Sequence, residues 1–299
     1  MTLTIDAPAW KVADLKPPPF KYVAARDLDH ALEVLARAGG DAKILAGGQS
    51  LMPMMNFRLI TPAILLDINR IAGMDRIAQQ PDRLTLGALV RHRTTATNPV
   101  ILARFPILAH ATTHVAHDTV RNRGTFVGSL CHADPAAEMP MIALLLNAEI
   151  TIASARGVRR LHARDFFIAP LTTALEADEI VTAVDLPYLP ERTGWGFQEF
   201  ARRHGDYALA AVAVTMSRQD GRAHGVRIAV MGVGDTPARV PEAEAILDGN
   251  DLGPLASAIA AVRSAADPTT DLHASAEYRR HLLGVLAGRA IKAAWDRAQ

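Results

Sequence analysis

Two short stretches carry the residues best suited to chemistry. Residues 42–51 read AKILAGGQSL, and residues 123–130 read RGTFVGSL. In the first, the apolar run Ile44-Leu45-Ala46 gives way to Gly47-Gly48, then to Gln49-Ser50 and Leu51. Adjacent glycines after a strand permit positive φ and let another group approach the backbone closely. Successive main-chain N–H groups there can converge on an anion, and a short helix starting just after adds the positive end of its dipole. A pyrophosphate has these needs. The plainer reading of either loop alone is a strand-to-helix turn that uses glycine for geometry. Two such loops, each with small residues, hydroxyls and backbone donors, fit a dinucleotide with two phosphates to satisfy.

Three further groups hold residue types that could do chemistry. His110, His114 and His117 fall at i, i+4 and i+7, so on one helix they would share a side that zinc could bridge. No carboxylate joins the stripe, and a polar helix face is the simpler account. Cys131-His132 with Asp134 has the residue types of a nucleophile and its base. Neighbours on an extended chain point apart, however, and a loop-fixing role explains them. Arg202-Arg203-His204-Gly205-Asp206-Tyr207 reads either as a turn with solvated charges or as an arginine pair and an aromatic presented to a planar cofactor.

Composition narrows the function classes. With 299 residues the chain can form two domains. Lys and Arg total 32 against 31 Asp and Glu, so the mean field favours neither nucleic acid nor an acidic substrate. A lone cysteine, Cys131, excludes an internal disulfide and an iron–sulfur cluster held by this chain's own thiolates. The N-terminal stretch lacks a basic segment followed by an apolar one, so no secretory signal is read. No apolar run reaches the length of a membrane span, and MIALLLNAEI is broken by Asn147 and Glu149. The expected setting is the cytoplasm. No internal repeat is seen.

The elements that must position these residues follow from periodicity. Lys16-Pro17-Pro18-Pro19-Phe20 is an extended lead-in. Asp27 caps a helix whose apolar face is Leu28, Ala31, Leu32 and Leu35, stopped by Gly39-Gly40. Strands at 43–46 and 64–68 flank the glycine turn, a β-α-β unit too short for an ordinary Rossmann crossover and without GxGxxG or the phosphate-loop pattern. Leu84–Ala88 is a strand, Asn98-Pro99 starts a helix, and Pro106 restarts one expected to run through His117. Residues 118–140 read as a long functional loop. A buried helix follows at 141–146, then strands at 149–153 and 180–186, a linker at 187–194, and strands at 197–202, 208–216 and 226–233, with Asp220-Gly221 in a turn. The tail is helical, and its last helix, about 276–298, should place Tyr278, Leu282, Val285 and Leu286 on one face.

AGGQSLMPMMNFRL, then ILLDINRI, then RNRGTFVGSLCHADPAAEMP, then ARRHGDYALAAVAV together resemble the FAD-binding medium subunit of the molybdenum hydroxylases. This is the xanthine dehydrogenase family, and the pattern is nearest the carbon monoxide dehydrogenase medium-subunit type. The resemblance covers nearly the whole chain. It implies an α+β fold: a PCMH (vanillyl-alcohol-oxidase) type FAD-binding domain at 14–189, with subdomains at about 14–75 and 76–189. A small C-terminal domain of antiparallel sheet plus helices would occupy 194–299. It implies that Ile44, Leu45, Ala46, Gly47, Gly48, Gln49, Ser50 and Leu51 cradle the pyrophosphate, with Thr125, Phe126, Val127, Gly128 and Ser129 as the second cradle. Glu138 would lie near the flavin-bearing half, Val115, Ile180 and Val181 at packing positions, and Tyr207 beside the isoalloxazine ring.

Two departures from the family pattern carry expectations. Val127 replaces the first glycine of the usual T-x-G-G. If that position requires positive φ, valine is strained there, and Val127→Gly should tighten FAD binding. Gln198 stands where the xanthine dehydrogenases have a lysine near the flavin, which argues against an NAD-linked reaction of their kind. The implied function is an FAD-binding electron-transfer subunit with no catalytic side chain and no metal ligand of its own. [2Fe–2S] clusters would sit on a small partner subunit and the molybdenum cofactor on a large one, in a dimer of heterotrimers. The alternatives are a self-contained flavin oxidoreductase of the same fold and a structural subunit without flavin.

Overall fold

The computed structural model describes residues 17–299, so Lys16 and the first residues of the expected 14–189 domain lie outside the described residues. Strand β1 (Lys21–Ala24), helix α1 (Leu28–Ala38), β2 (Ala42–Leu45), α2 (Leu51–Asn56) and β3 (Ile64–Asp67) come first. Their sheet is parallel in the order β1-β3-β2. The Asp27 side chain accepts from the His30 N–H at 2.8 Å to cap α1, and Gly39 ends it at φ 57°. Ala31 and Leu35 are buried as the periodicity required.

The next unit opens with β4 (Ile77–Gln79) and β5 (Arg83–Gly87). Six short helices follow: α3 (His92–Thr97), α4 (Pro99–Arg104), α5 (Pro106–Thr112), α6 (Asp118–Arg121), α7 (Phe126–His132) and α8 (Glu138–Leu145). Then come β6 (Glu149–Ser154), β7 (Gly157–His162), a small hairpin of β8 (Phe167–Ala169) and β9 (Thr172–Thr173), and β10 (Ile180–Pro187). The larger strands form an antiparallel sheet in the order β4-β5-β10-β6-β7. Two expectations are corrected. Residues 118–140 hold α6, α7 and the start of α8 in place of one long loop. The Thr125 hydroxyl makes the difference, since it accepts from the Gly128 N–H at 3.0 Å and caps α7. The helix from Pro106 ends at Thr112, and Ala116 at φ 41° reverses the chain. His110, His114 and His117 therefore do not share a helix.

A third sheet, β11 (Gly194–Ala201), β12 (Ala208–Gln219), β13 (Arg222–Met231) and β14 (Ala238–Arg239), is antiparallel in chain order. Asp220 and Gly221 have φ of 51° and 73°, the positive pair that a tight hairpin turn requires. Helices α9 (Pro241–Leu247), α10 (Leu255–Ser264) and α11 (Ala276–Arg297) cover one face. The other face rests on α5 and α8, so Phe197, Ala211, Ala213 and Met231 join the core of the preceding units. A Cβ on Gly194 or Gly196 would lie 2.0 Å from the carbonyl oxygen of Ala294 or Ala290, so α11 seats directly on β11. This close approach puts alanines, Ala290 and Ala294, at the contact. Leu282, Leu283, Leu286, Ala287, Ala290, Ile291 and Ala294 are buried, whereas Tyr278 and Val285 are exposed, contrary to the face expected for them. Among the described residues no helix is long and apolar enough to cross a membrane.

Candidate cofactor-binding site

The two glycine-bearing loops, about 75 residues apart in sequence, meet in space. A Cβ on Gly47 would lie 2.5 Å from the Arg123 carbonyl oxygen and 2.7 Å from the Gly124 Cα, so only glycine permits this approach. Gly48 follows at φ 72°, a conformation that L side chains resist. Four carbonyls of the first loop are engaged. Ala46 O accepts from Asn69 Nδ2 at 2.8 Å, Gly47 O from Gln49 Nε2 at 3.2 Å, and Gly48 O and Ser50 O from Met52 and Met54 N–H at 3.1 Å. Among the described residues, the N–H groups of Gly47, Gly48, Gln49 and Ser50 have no acceptor. In the second loop, Arg123 O accepts from Arg91 Nη1 and Gly124 O from the His92 N–H at 2.9 Å. The N–H groups of Thr125 and Val127 have no acceptor among the described residues. Satisfied carbonyls and open donors make a surface that calls for an anion. Arg91 and Arg123 add positive charge beside it. Burial, and then the Arg123 charge, lower the Arg91 pKa.

Helix α7 leads from this cradle to a second cluster. Its seven residues span about 10 Å. At its far end Tyr207 keeps 66% of its surface exposed, with its hydroxyl toward Asp134 and Glu138. Crowding of that hydroxyl, then the charges of Asp134 and Glu138, push its pKa up. Glu138 opens α8 and is buried. Burial, reinforced by Glu199, raises its pKa to about 8. Glu199 Oε1 lies 3.8 Å from His114 Nδ1, and its other oxygen is buried without a partner. Val115 follows His114. The Arg121 guanidinium holds this turn by donating to the carbonyls of Thr113, Val115 and Ala116 at 3.2, 2.7 and 2.9 Å. The loop that carries Tyr207 is seated on the same turn. His204 stacks on His117 with ring centroids 6.4 Å apart, and a Cβ on Gly205 would lie 2.5 Å from His117 Cε1.

The expected site residues fall on these elements. Ile44 and Leu45 end β2, Ala46, Gly47, Gly48, Gln49 and Ser50 form the loop, and Leu51 starts α2. Thr125, Phe126, Val127, Gly128 and Ser129 form the cap and first turn of α7. Phe126 and Val127 are buried, so they offer main chain only. Ile180 and Val181 are buried in β10 behind α7 and present no side-chain surface to the site. Val127 is not strained, contrary to the expectation. Positive φ among non-glycine residues occurs at Arg58, Ala116, Ala133, Asn147, Leu171, Arg192 and Asp220, and Val127 sits in an ordinary helical turn with its side chain in the core. Gln198 alternates with Gly196 toward α11, away from Phe197 and Glu199.

The histidines share no helix face, and Cys131 and His132 lie in α7 and not on an extended loop. His110 packs edge-on against His114 and Phe197, and His114 lies tilted on Phe197. No group of three metal-binding side chains occurs among the described residues. Burial pushes the Cys131 thiol up to about 12, which denies it a nucleophile's role. Sequence reasoning missed Asn69, Arg91, Arg121 and Glu199. None lies in a glycine loop, and only their hydrogen bonds or burial mark them.

The arrangement fits a dinucleotide cofactor. Gly47 and Gly48 shape a cradle that a Cβ would fill, open N–H donors line it, and an exposed aromatic ring stands one helix length away. Comparison with known proteins agrees with this geometry. Residues 18–189 match the FAD binding domain in molybdopterin dehydrogenase, and residues 195–294 match the CO dehydrogenase flavoprotein C-terminal domain. The chain is 41% identical to the 6-hydroxypseudooxynicotine dehydrogenase complex subunit alpha of Paenarthrobacter nicotinovorans, over 95% of this chain and 97% of the relative. It is similar to a chain of carbon monoxide dehydrogenase from Hydrogenophaga pseudoflava, with TM-score 0.93 and 34% identity over 95% of this chain and 99% of that one. For quinoline 2-oxidoreductase from Pseudomonas putida 86 the TM-score is 0.90 at 39% identity, over 95% of this chain and 100% of that one. This protein is therefore a member of the FAD-binding medium subunits of the molybdenum hydroxylases, of the carbon monoxide dehydrogenase flavoprotein type.

Proposed function

We propose that this chain holds FAD non-covalently within a heteromeric molybdenum hydroxylase. Residues 14–189 serve as the FAD-binding domain and 194–299 as the C-terminal domain. The observation that carries the reading is the pairing of open main-chain donors at both loops with Tyr207 and Glu138 at the other end of α7. The N–H groups of residues 47–50 and of Thr125 and Val127 would hold the pyrophosphate. Tyr207 would cover the flavin ring, and Glu138, whose pKa burial raises to about 8, would lie near the flavin-bearing half. When bound, FAD would supply redox chemistry suited to passing electrons from [2Fe–2S] clusters of a small subunit to an external acceptor. Substrate oxidation belongs to a large subunit with the molybdenum cofactor.

Similarity to a nicotine-derivative dehydrogenase and a quinoline oxidoreductase supports an N-heterocycle as the class of substrate on that large subunit. The test is to purify the chain with its partner subunits and measure the visible spectrum and the flavin released on denaturation. Near-equal FAD is expected. A folded complex that reduces its acceptor with no FAD would overturn the reading.

A further inference from the structure

Asn69 and Arg91 belong to neither glycine loop, yet their side chains bridge the two. The first loop follows β2 of the parallel sheet, and the second precedes α7 in the next unit. They touch at Gly47, but among the described residues no hydrogen bond runs directly between residues 46–51 and 122–128. Asn69 Nδ2 donates to Ala46 O at 2.8 Å and Leu45 O at 3.3 Å, and Asn69 Oδ1 accepts from Arg91 Nη2 at 2.5 Å. Arg91 Nη1 donates to Arg123 O, and the Arg91 main chain pairs with Thr125. Asp67 holds the amide in this orientation. It accepts from the Asn69 N–H and Nδ2 at 2.8 and 2.7 Å, and is itself held by the Tyr22 hydroxyl at 2.6 Å.

We propose that Asn69 and Arg91 form a strap that sets the spacing of the two cofactor loops, making them positioning residues for FAD retention. The inference rests on the FAD reading above. Its chemistry is specific. An amide offers both a donor for Ala46 O and an acceptor for Arg91, whereas leucine offers neither. A guanidinium forks two donors in fixed geometry toward two acceptors, whereas a lysine ammonium reaches only one side. Each carbonyl so engaged leaves the neighbouring N–H groups to the phosphates.

The experiment compares wild type, Asn69→Leu, Arg91→Lys and the double variant, each purified with its partner subunits. FAD release is followed by flavin fluorescence, and amide hydrogen exchange is followed at 46–50 and 123–127. Each single variant is expected to release FAD about ten-fold faster. The double variant is expected to release it no faster than the worse single, because the strap is already cut. Arg91→Lys should also speed exchange at 46–50, where Arg91 itself makes no hydrogen bond. A purely local role would not move that readout. Leu283→Ala, on the buried face of α11, serves as a control that lowers thermal stability and leaves FAD release unchanged. A flavin-loaded wild type whose strap variants stay within about two-fold in release, or a control that sheds flavin as fast as they do, overturns the strap alone. A wild-type complex without FAD overturns the FAD reading and the strap with it.

Discussion

At the residue scale, single atoms decide what the cradle tolerates. Gly47→Ala would drive a methyl into the Arg123 carbonyl at 2.5 Å. Backbone cannot yield as a flexible side chain does, so the loops must part. We expect a loss of about 1–3 kcal/mol in stability together with loss of bound FAD, read by melting and by flavin content. Val127 behaves in the opposite way to a strained residue. It occupies the first turn of α7, buried among core side chains. Val127→Gly removes that packing and adds backbone freedom, so it should cost roughly 2–4 kcal/mol and should not tighten FAD binding, as denaturant unfolding and flavin release will report. Gly128 presents the complementary case. It has an ordinary φ, but a Cβ there would lie 2.6 Å from the Thr125 hydroxyl that caps the helix.

At the element scale, contact between β11 and α11 fixes the C-terminal layers. Gly196 faces the Ala290 carbonyl so closely that a Cβ would lie at 2.0 Å. Arg279 reinforces the docking of α11. Buried, it donates to Leu209 O at 2.8 Å and pairs with Asp271 at 2.8 Å. Backbone N–H groups of His273 and Ala274, and then Arg279, hold the Asp271 carboxyl down at about 2. Gly196→Ala should lift α11 off the sheet, costing about 3 kcal/mol or more. Limited proteolysis should then cut near the start of α11 sooner than in wild type. The opposite face of β11 carries Phe197 and Glu199 to α5 and to the turn at 114–117. The same displacement should therefore reach the seat of Tyr207. Equal proteolysis of variant and wild type would contradict this arrangement.

At the scale of the whole molecule, two buried titratable groups give stability opposing slopes with pH. Glu138 binds its proton more tightly in the folded chain, with a pKa of about 8 set by burial and then by Glu199. The folded state then holds more protons than the unfolded one, and stability falls as pH rises through about 8. His92 is the reverse case. Burial, and then the Arg121 charge, lower its pKa to about 4, so the unfolded chain binds more protons and stability falls as pH drops from about 6.5 through 4. Above about pH 6.5 only the Glu138 term operates of these two. Glu138→Gln should therefore flatten the decline in melting temperature between about pH 6.5 and 8 and steepen the acid limb, where the Glu138 slope no longer offsets that of His92. A variant with the wild-type slope in that window would refute the assignment.

Much of this protein was legible in its sequence because the governing signals are local. Asp27 and Gly39 bounded α1, Asn98-Pro99 opened α4, and Asp220-Gly221 marked a hairpin, each through the backbone preferences of the residues themselves. The two glycine loops were visible for the same reason, and four motifs in order sufficed to point to the family. Tertiary structure alone decided the rest. The fate of Val127 depended on whether a helix began at Thr125, and that rests on the Thr125 hydroxyl meeting the Gly128 N–H. The histidine stripe dissolved because Ala116 turns the chain. Asn69 and Arg91 gained a role only when the parallel sheet and the helical unit met, since a hydrogen bond between residues distant in sequence leaves no periodic trace. The buried face of α11 could not be read from α11 by itself, because Gly194 and Gly196 on another element meet it. Local conformation follows from the chain; which surfaces meet follows from how closely packed layers exclude one another.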